Sequence, residues 1–157
     1  MPHILIVCTA NICRSPVVEA LFRRRLEARG LAWRVSSGGT LAENGMSAAR
    51  HSIELMRERG IDISGHRSRL VEREHIEDAD LVVCMENGHK EALRVENPDQ
   101  AKKIRLFASL VGSYHDIEDP YGGPRGGYET MVAEVETLVD EAVPRLVDAF
   151  RGKPSSA

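Results

Sequence analysis

Residues 4–7 (ILIV) form a short, continuous apolar run rich in β-branched side chains, and the pattern changes abruptly after it. An apolar run of this length, without alternation, is what a strand buried on both faces of a parallel sheet requires. The following CTANICRS is polar and short, and from Pro16 the apolar positions Val17, Ala20, Leu21 and Leu26 recur at helical spacing. A buried strand, a tight loop and an amphipathic helix in succession open a βα unit, and that restricts the chain to the α/β class. The remainder repeats the theme. Residues 33–37 (WRVSS), 79–85 (ADLVVCM) and 103–107 (KIRLF) read as further strands. Helices are expected between them. The first ends at Gly30. A second, capped by Ser47, carries Ala48, Ile53, Leu55 and Met56 and stops at Gly60. A third covers NGHKEALRV. The last keeps one apolar stripe from Met131 to Phe150, with Pro144 predicting a kink or local break.

The expected architecture is one α/β domain over residues 1–151, a four-stranded parallel sheet with helices on both faces in a three-layer, flavodoxin-like or Rossmann-like arrangement. Residues 152–157 (GKPSSA) read as a disordered tail. A chain of 157 residues supports one such core. Net charge is −3, which offers no basic stripe for nucleic acid. No apolar run approaches the roughly 18 residues of a membrane helix, and the N-terminus lacks a basic, cleavable leader. A cytoplasmic protein is expected, free of nucleic acid and membrane.

Three cysteines are an odd number and too few for a disulfide scaffold. Cys8 and Cys13 are open to four readings: a bridge, metal ligands, core residues or reactive thiols. In a reducing compartment the reactive reading is favoured. The loop joins a strand end to a helix N-terminus, so its amide N–H groups are unpaired and convergent and the helix dipole adds positive potential. Such a turn is an anion site before side chains are counted. Arg14 adds a planar fork that matches two phosphate oxygens, and Pro16 loses nothing at the helix start. Helix N-termini and neighbouring arginines lower a thiol's pKa from about 8.5 to roughly 3.5–7.5. A cysteine at the mouth of a phosphate cradle is therefore a nucleophile facing phosphorus. The scattered histidines give no metal-ligand spacing, so no cofactor is expected.

The segment from Cys8 to Ser15 resembles the phosphate loop of the low-molecular-weight protein tyrosine phosphatases. The resemblance continues through VSSGGT, GIDISGHRSR, ADLVVCM and EDPYGG. It implies Cys8 as nucleophile, Arg14 as phosphate-binding arginine and Asp119, before Pro120, as general acid. Thr9, Ala10, Asn11, Ile12 and Cys13 complete the loop, with Thr9 and Ala10 in place of a commoner Leu/Gly pair. Ser15 supports the thiolate, and Asn11, Ser37 and His66 hold the loop in shape. Asn11 also tolerates a left-handed backbone. Cys13 is implied as a redox partner for Cys8. Tyr121 resembles the family's aromatic wall, although the next residue is Gly122 where a second aromatic is common. Ile12, Leu41, Glu43 and Asn44 complete the implied pocket. Threonine tends to replace Ile12 in phosphoarginine-preferring members, so Ile12 favours phosphotyrosine.

The implied partners are a phosphorylated protein substrate and an inorganic phosphate or other oxyanion in the loop, with a monomeric or weakly dimeric chain. Phosphoarginine hydrolysis, arsenate reduction and non-catalytic phosphate binding are the alternatives. Arsenate reduction needs a further cysteine relay, and Cys84 sits mid-strand as core packing. The triplet Arg23 to Arg25 reads as a solvated helix face.

Overall fold

A computed structural model describes residues 1–151. The expected disordered tail lies outside the described residues. Four parallel strands, β1 (His3–Cys8), β2 (Arg34–Gly39), β3 (Leu81–Cys84) and β4 (Ile104–Leu106), form one sheet in the order β2-β1-β3-β4. Five α-helices connect and cover them: α1 (Ser15–Ala28), α2 (Arg50–Arg57), α3 (Arg73–Asp78), α4 (Asn87–Glu96) and α5 (Arg125–Arg151). This is the expected three-layer α/β arrangement.

The sheet is buried on both faces, which explains the unbroken apolar runs. Ile4 and Ile6 of β1 face a core built from α1, α2 and α5, including Leu21, Phe22, Met56, Val132 and Val139. Leu5 and Val7 face the opposite layer, where Ile76 of α3 and Leu93 of α4 cover them. The chain runs from β1 to β2 on one side and returns to β3 on the other. A crevice therefore opens at the carboxyl end of β1, where such sheets bind ligands.

Several expectations shift. Ser47 does not cap α2; the helix starts at Arg50, after Ala49, without a side-chain cap. The preceding backbone is used elsewhere, since Ala49 N–H donates to the Ile12 carbonyl (2.8 Å) and ties this segment to the Cys8 loop. The break expected at Pro144 is absent, and α5 runs unbroken across it. Buried Leu138, Val139, Ala142, Val143, Leu146 and Val147 hold both sides of that proline against the core. β2 extends through Gly38 and Gly39, which have no side chains to announce a strand. Helix α3 and two 3-10 turns, Pro98–Lys103 and Phe107–Val111, lack a sequence signal strong enough to predict. Among the described residues no helix is long and apolar enough to cross a membrane.

Candidate active site

β1 delivers Cys8 to the crevice, nearly buried at 2% exposure, and the chain turns at once into α1. Asn11 makes the turn possible. Its φ of 60° is the only positive value among the described non-glycine residues, a conformation that asparagine tolerates best. Its side chain then serves as a bracket. Asn11 Nδ2 donates to Ser15 Oγ (2.7 Å) and Ser37 Oγ (2.9 Å), and Oδ1 accepts from Arg69 N–H (3.0 Å). His66 Nε2 donates to the Asn11 carbonyl (2.7 Å). Ser37 passes the load outward to Glu19, which Arg23 holds in turn. Four residues from α1, β2 and the segment between α2 and α3 thus converge on one buried side chain and its carbonyl, and the loop has little freedom to relax.

The donors inside the loop meet the sulfur. Asn11 N–H points at Cys8 Sγ (3.3 Å), and Ser15 Oγ lies 2.9 Å from it. The Arg14 side chain is 1% exposed. Its Nη1 donates to Glu86 (2.5 Å) and to the Ile117 carbonyl (2.6 Å). Its Nη2 reaches Thr9 Oγ1 (3.4 Å) and lies 3.6 Å from Asp119. Its Nε is buried with no hydrogen-bond partner. One edge of the guanidinium is fully committed to protein, and the Nε/Nη2 edge is left for a ligand.

Asp119 is partly exposed at the mouth, and its Oδ1 accepts from Tyr121 N–H (3.0 Å). Tyr121 is 68% exposed. Leu41 is also exposed, and its backbone is tied to the Thr9 carbonyl (3.0 Å), so it borders the loop. Ile12 is half-buried with one side on the core. Ala10 is likewise half-buried in the loop. Asn44 is exposed, and its Oδ1 accepts from Leu70 N–H (2.8 Å). Glu43 contributes its carbonyl to Ser68 and leaves an exposed carboxylate on the outer rim.

All three cysteines are free thiols. Burial pushes the Cys13 thiol up to about 11, and its Sγ contacts the Tyr128 hydroxyl (3.5 Å). Cys84 is pushed up to about 12 by burial in β3, consistent with a core role. Sequence reading missed Glu86, His89, Glu19 and Arg69. The available signal was Glu86 itself, a charged residue directly after the buried strand β3 at the crevice end.

Cys8 thus sits in a tight strand-to-helix loop beside a buried arginine, with a carboxylate 3.6 Å from that arginine. The family described as "Low molecular weight phosphotyrosine protein phosphatase" matches residues 3–150. The chain belongs to this family. A protein-arginine-phosphatase of Geobacillus stearothermophilus is 37% identical over 148 residues, spanning 93% of this chain and 97% of the relative. A crystal structure of a low-molecular-weight protein tyrosine phosphatase from T. tengcongensis superposes with a TM-score of 0.88 at 38% identity, covering 92% of this chain and 99% of that one. A Cys→Ser mutant of the YwlE arginine phosphatase, described as carrying a phosphorylated active-site serine, gives 0.87 at 32% identity, covering 96% and 97%.

Within this phosphatase fold the two glycines that end β2 differ in consequence. A Cβ on Gly39 would lie 2.3 Å from the Thr9 carbonyl and 3.0 Å from Asn11 N, both backbone atoms of the loop. A Cβ on Gly38 would meet mainly the Val71 side chain. Gly39→Ala is expected to displace the loop, cutting kcat/KM about 100-fold for a shift of about 1 Å. It should also cost roughly 1–3 kcal/mol of stability. Gly38→Ala should do less on the first count. Kinetics and urea melts of both variants check this, and equal activity loss would refute the distinction.

Proposed function

We propose that the chain is a metal-independent protein phosphatase that hydrolyses phosphotyrosine through a phosphocysteine intermediate at Cys8. The observation that carries this reading is Arg14. Its Nη1 is spent on Glu86 and Ile117, its Nη2 only reaches Thr9 and Asp119 at 3.4 and 3.6 Å, and its buried Nε has no partner, a cost that an anion on this edge would remove. The open Nε/Nη2 edge fits two phosphoryl oxygens side by side. The Cys8 thiolate attacks phosphorus in line, forming an S–P bond as the bond to the tyrosine oxygen breaks. Asp119 gives its proton to that oxygen. Water then attacks the phosphocysteine, hands a proton to the Asp119 carboxylate, and displaces the Cys8 thiolate with release of inorganic phosphate. Arg14 and the loop amides balance the equatorial charge throughout. The structural relative described with a phosphorylated serine in place of its cysteine supports a covalent route.

Ile12 and Tyr121 favour an aryl leaving group: they give the mouth apolar contacts for a phenyl ring, and Ile12 has no hydroxyl to orient a guanidinium. Phosphoarginine is the second reading, supported by the relative named protein-arginine-phosphatase. Parallel kinetics on phosphotyrosine and phosphoarginine peptides, each with and without EDTA, separate the two. A higher kcat/KM for phosphoarginine would overturn the first reading, and inhibition by EDTA would overturn metal independence. We further assign the enzyme to the reducing cytoplasm, with Cys13 as the thiol that traps oxidised Cys8.

Asp119→Ala is expected to slow hydrolysis of phosphotyrosine by roughly 10²–10⁴-fold. For p-nitrophenyl phosphate the loss should be much smaller, because that leaving group needs little protonation. A loss independent of leaving-group pKa would remove Asp119 from the acid role.

A further inference from the structure

His89 is buried and touches the loop through one atom pair: its Nε2 lies 2.8 Å from Thr9 Oγ1, across 80 residues of sequence. The tautomer is fixed by its other nitrogen. Glu86 N–H points at His89 Nδ1 (3.2 Å), and a backbone N–H can only donate, so Nδ1 is the acceptor. The ring proton is therefore on Nε2, and it is given to Thr9 Oγ1. Arg14 Nη2 approaches the same oxygen as a second donor. With both lone pairs addressed, the Thr9 hydroxyl proton must point elsewhere, and no described residue accepts it. Thr9 follows Cys8 directly, and its oxygen shares Arg14 Nη2 with Asp119.

We propose that the Thr9 hydroxyl is a side-chain donor to the bound phosphoryl group, and that His89 is the positioning residue that turns it there. This rests on the phosphatase reading above. A helix cap alone would use only Nδ1 of His89; it would not require a buried ring with Nε2 aimed at the loop. The charges facing the ring are Glu86, 3.8 Å from Nε2, together with Arg14, Asp116 and Asp119. Burial outweighs the three carboxylates and lowers the His89 pKa, keeping the ring neutral. A second proton would go on Nδ1 and confront the Glu86 N–H.

The test uses inorganic phosphate as a competitive inhibitor of the full chain. Thr9→Val should raise the phosphate Ki about tenfold, the usual scale for losing a hydrogen bond to a charged group. Thr9→Ser should restore it. His89→Leu should raise Ki about threefold or more in the Thr9 protein, yet leave it unchanged in the Thr9→Val background, because it acts through that hydroxyl. An unchanged Ki in Thr9→Val, or additive effects in the double variant, would overturn the proposal. Should His89→Leu fail to fold, long-range ¹H–¹⁵N spectra of the unsubstituted protein decide: a neutral ring with its proton on Nε2 is expected, and a proton on Nδ1 overturns it. Unsubstituted protein that neither cleaves p-nitrophenyl phosphate nor binds phosphate takes down both readings. An active protein with a normal Thr9→Val takes down only this one.

Discussion

Cys8→Ser is expected to abolish turnover, lowering kcat by about 10⁴-fold or more, while leaving the fold intact. The exchange of sulfur for oxygen is nearly isosteric. Ser15 Oγ and Asn11 N–H would still have an acceptor at residue 8, and the Asn11 bracket does not involve the side chain that changes. Melting should therefore move by only a few tenths of a kcal/mol. The chemistry changes completely, because an alkoxide does not form at neutral pH and a seryl phosphate is a far poorer electrophile than a phosphocysteine. The variant should still bind phosphate, since Arg14 and the loop amides are untouched. With an activated aryl phosphate it should slowly gain the mass of one phosphoryl group, on residue 8, and keep it. Intact-mass spectrometry after long incubation reads this directly. Residual turnover above one hundredth of the parent rate would mean that Cys8 is not the nucleophile.

The parts of this site legible in the sequence are those encoded locally. The run 4–7, the loop and α1 are contiguous, so the strand, anion cradle and dipole could be read from spacing alone. Asn11 was legible for the same reason, since a left-handed turn residue is chosen by its own backbone. What was not legible is what spans the chain. Glu86 lies 72 residues from Arg14, and His89 lies 80 from Thr9. Only the parallel pairing of β1 with β3 brings them together. Nothing in NGHKEALRV distinguishes a histidine that reaches the loop from one on a wet helix face. Asn44 is another long-range case: its side-chain oxygen accepts from Leu70 N–H, 26 residues away, a bond that its own neighbourhood in the sequence does not announce.

The same long-range encoding accounts for the element errors. Ser47 had the chemistry of a cap, but the backbone of residues 46–49 is bonded to Ser68 and Ile12, and the helix could not begin there. Gly38 and Gly39 read as the end of a strand because propensity counts side chains. Their value is the missing Cβ, which at Gly39 lets β2 run close beneath the loop and at Gly38 makes room for Val71.

Arg14→Lys should be nearly as damaging as loss of the nucleophile, because Arg14 does two jobs with two edges. The Nη1 side closes the carboxylate of Glu86 and the Ile117 carbonyl, joining α4 and the 113–124 loop to the cradle. The Nε/Nη2 side faces the ligand. A lysine ammonium is a single point of charge with three donors and cannot span both. If it turns to Glu86, the phosphoryl group loses its bidentate partner; if it turns to the ligand, the buried Ile117 carbonyl loses its side-chain donor and the half-buried Glu86 carboxylate keeps only its bond to the α4 backbone. The first outcome lowers kcat/KM by about 10³-fold and raises the phosphate Ki, with stability nearly kept. The second costs roughly 1–3 kcal/mol in denaturant melts, with part of the phosphate affinity retained. Glu86→Gln separates the two jobs, since it weakens the clamp without touching the ligand edge, and it should lose far less activity than Arg14→Lys. A lysine variant keeping a tenth of the parent kcat/KM would show that the open guanidinium edge is not what holds the phosphoryl group.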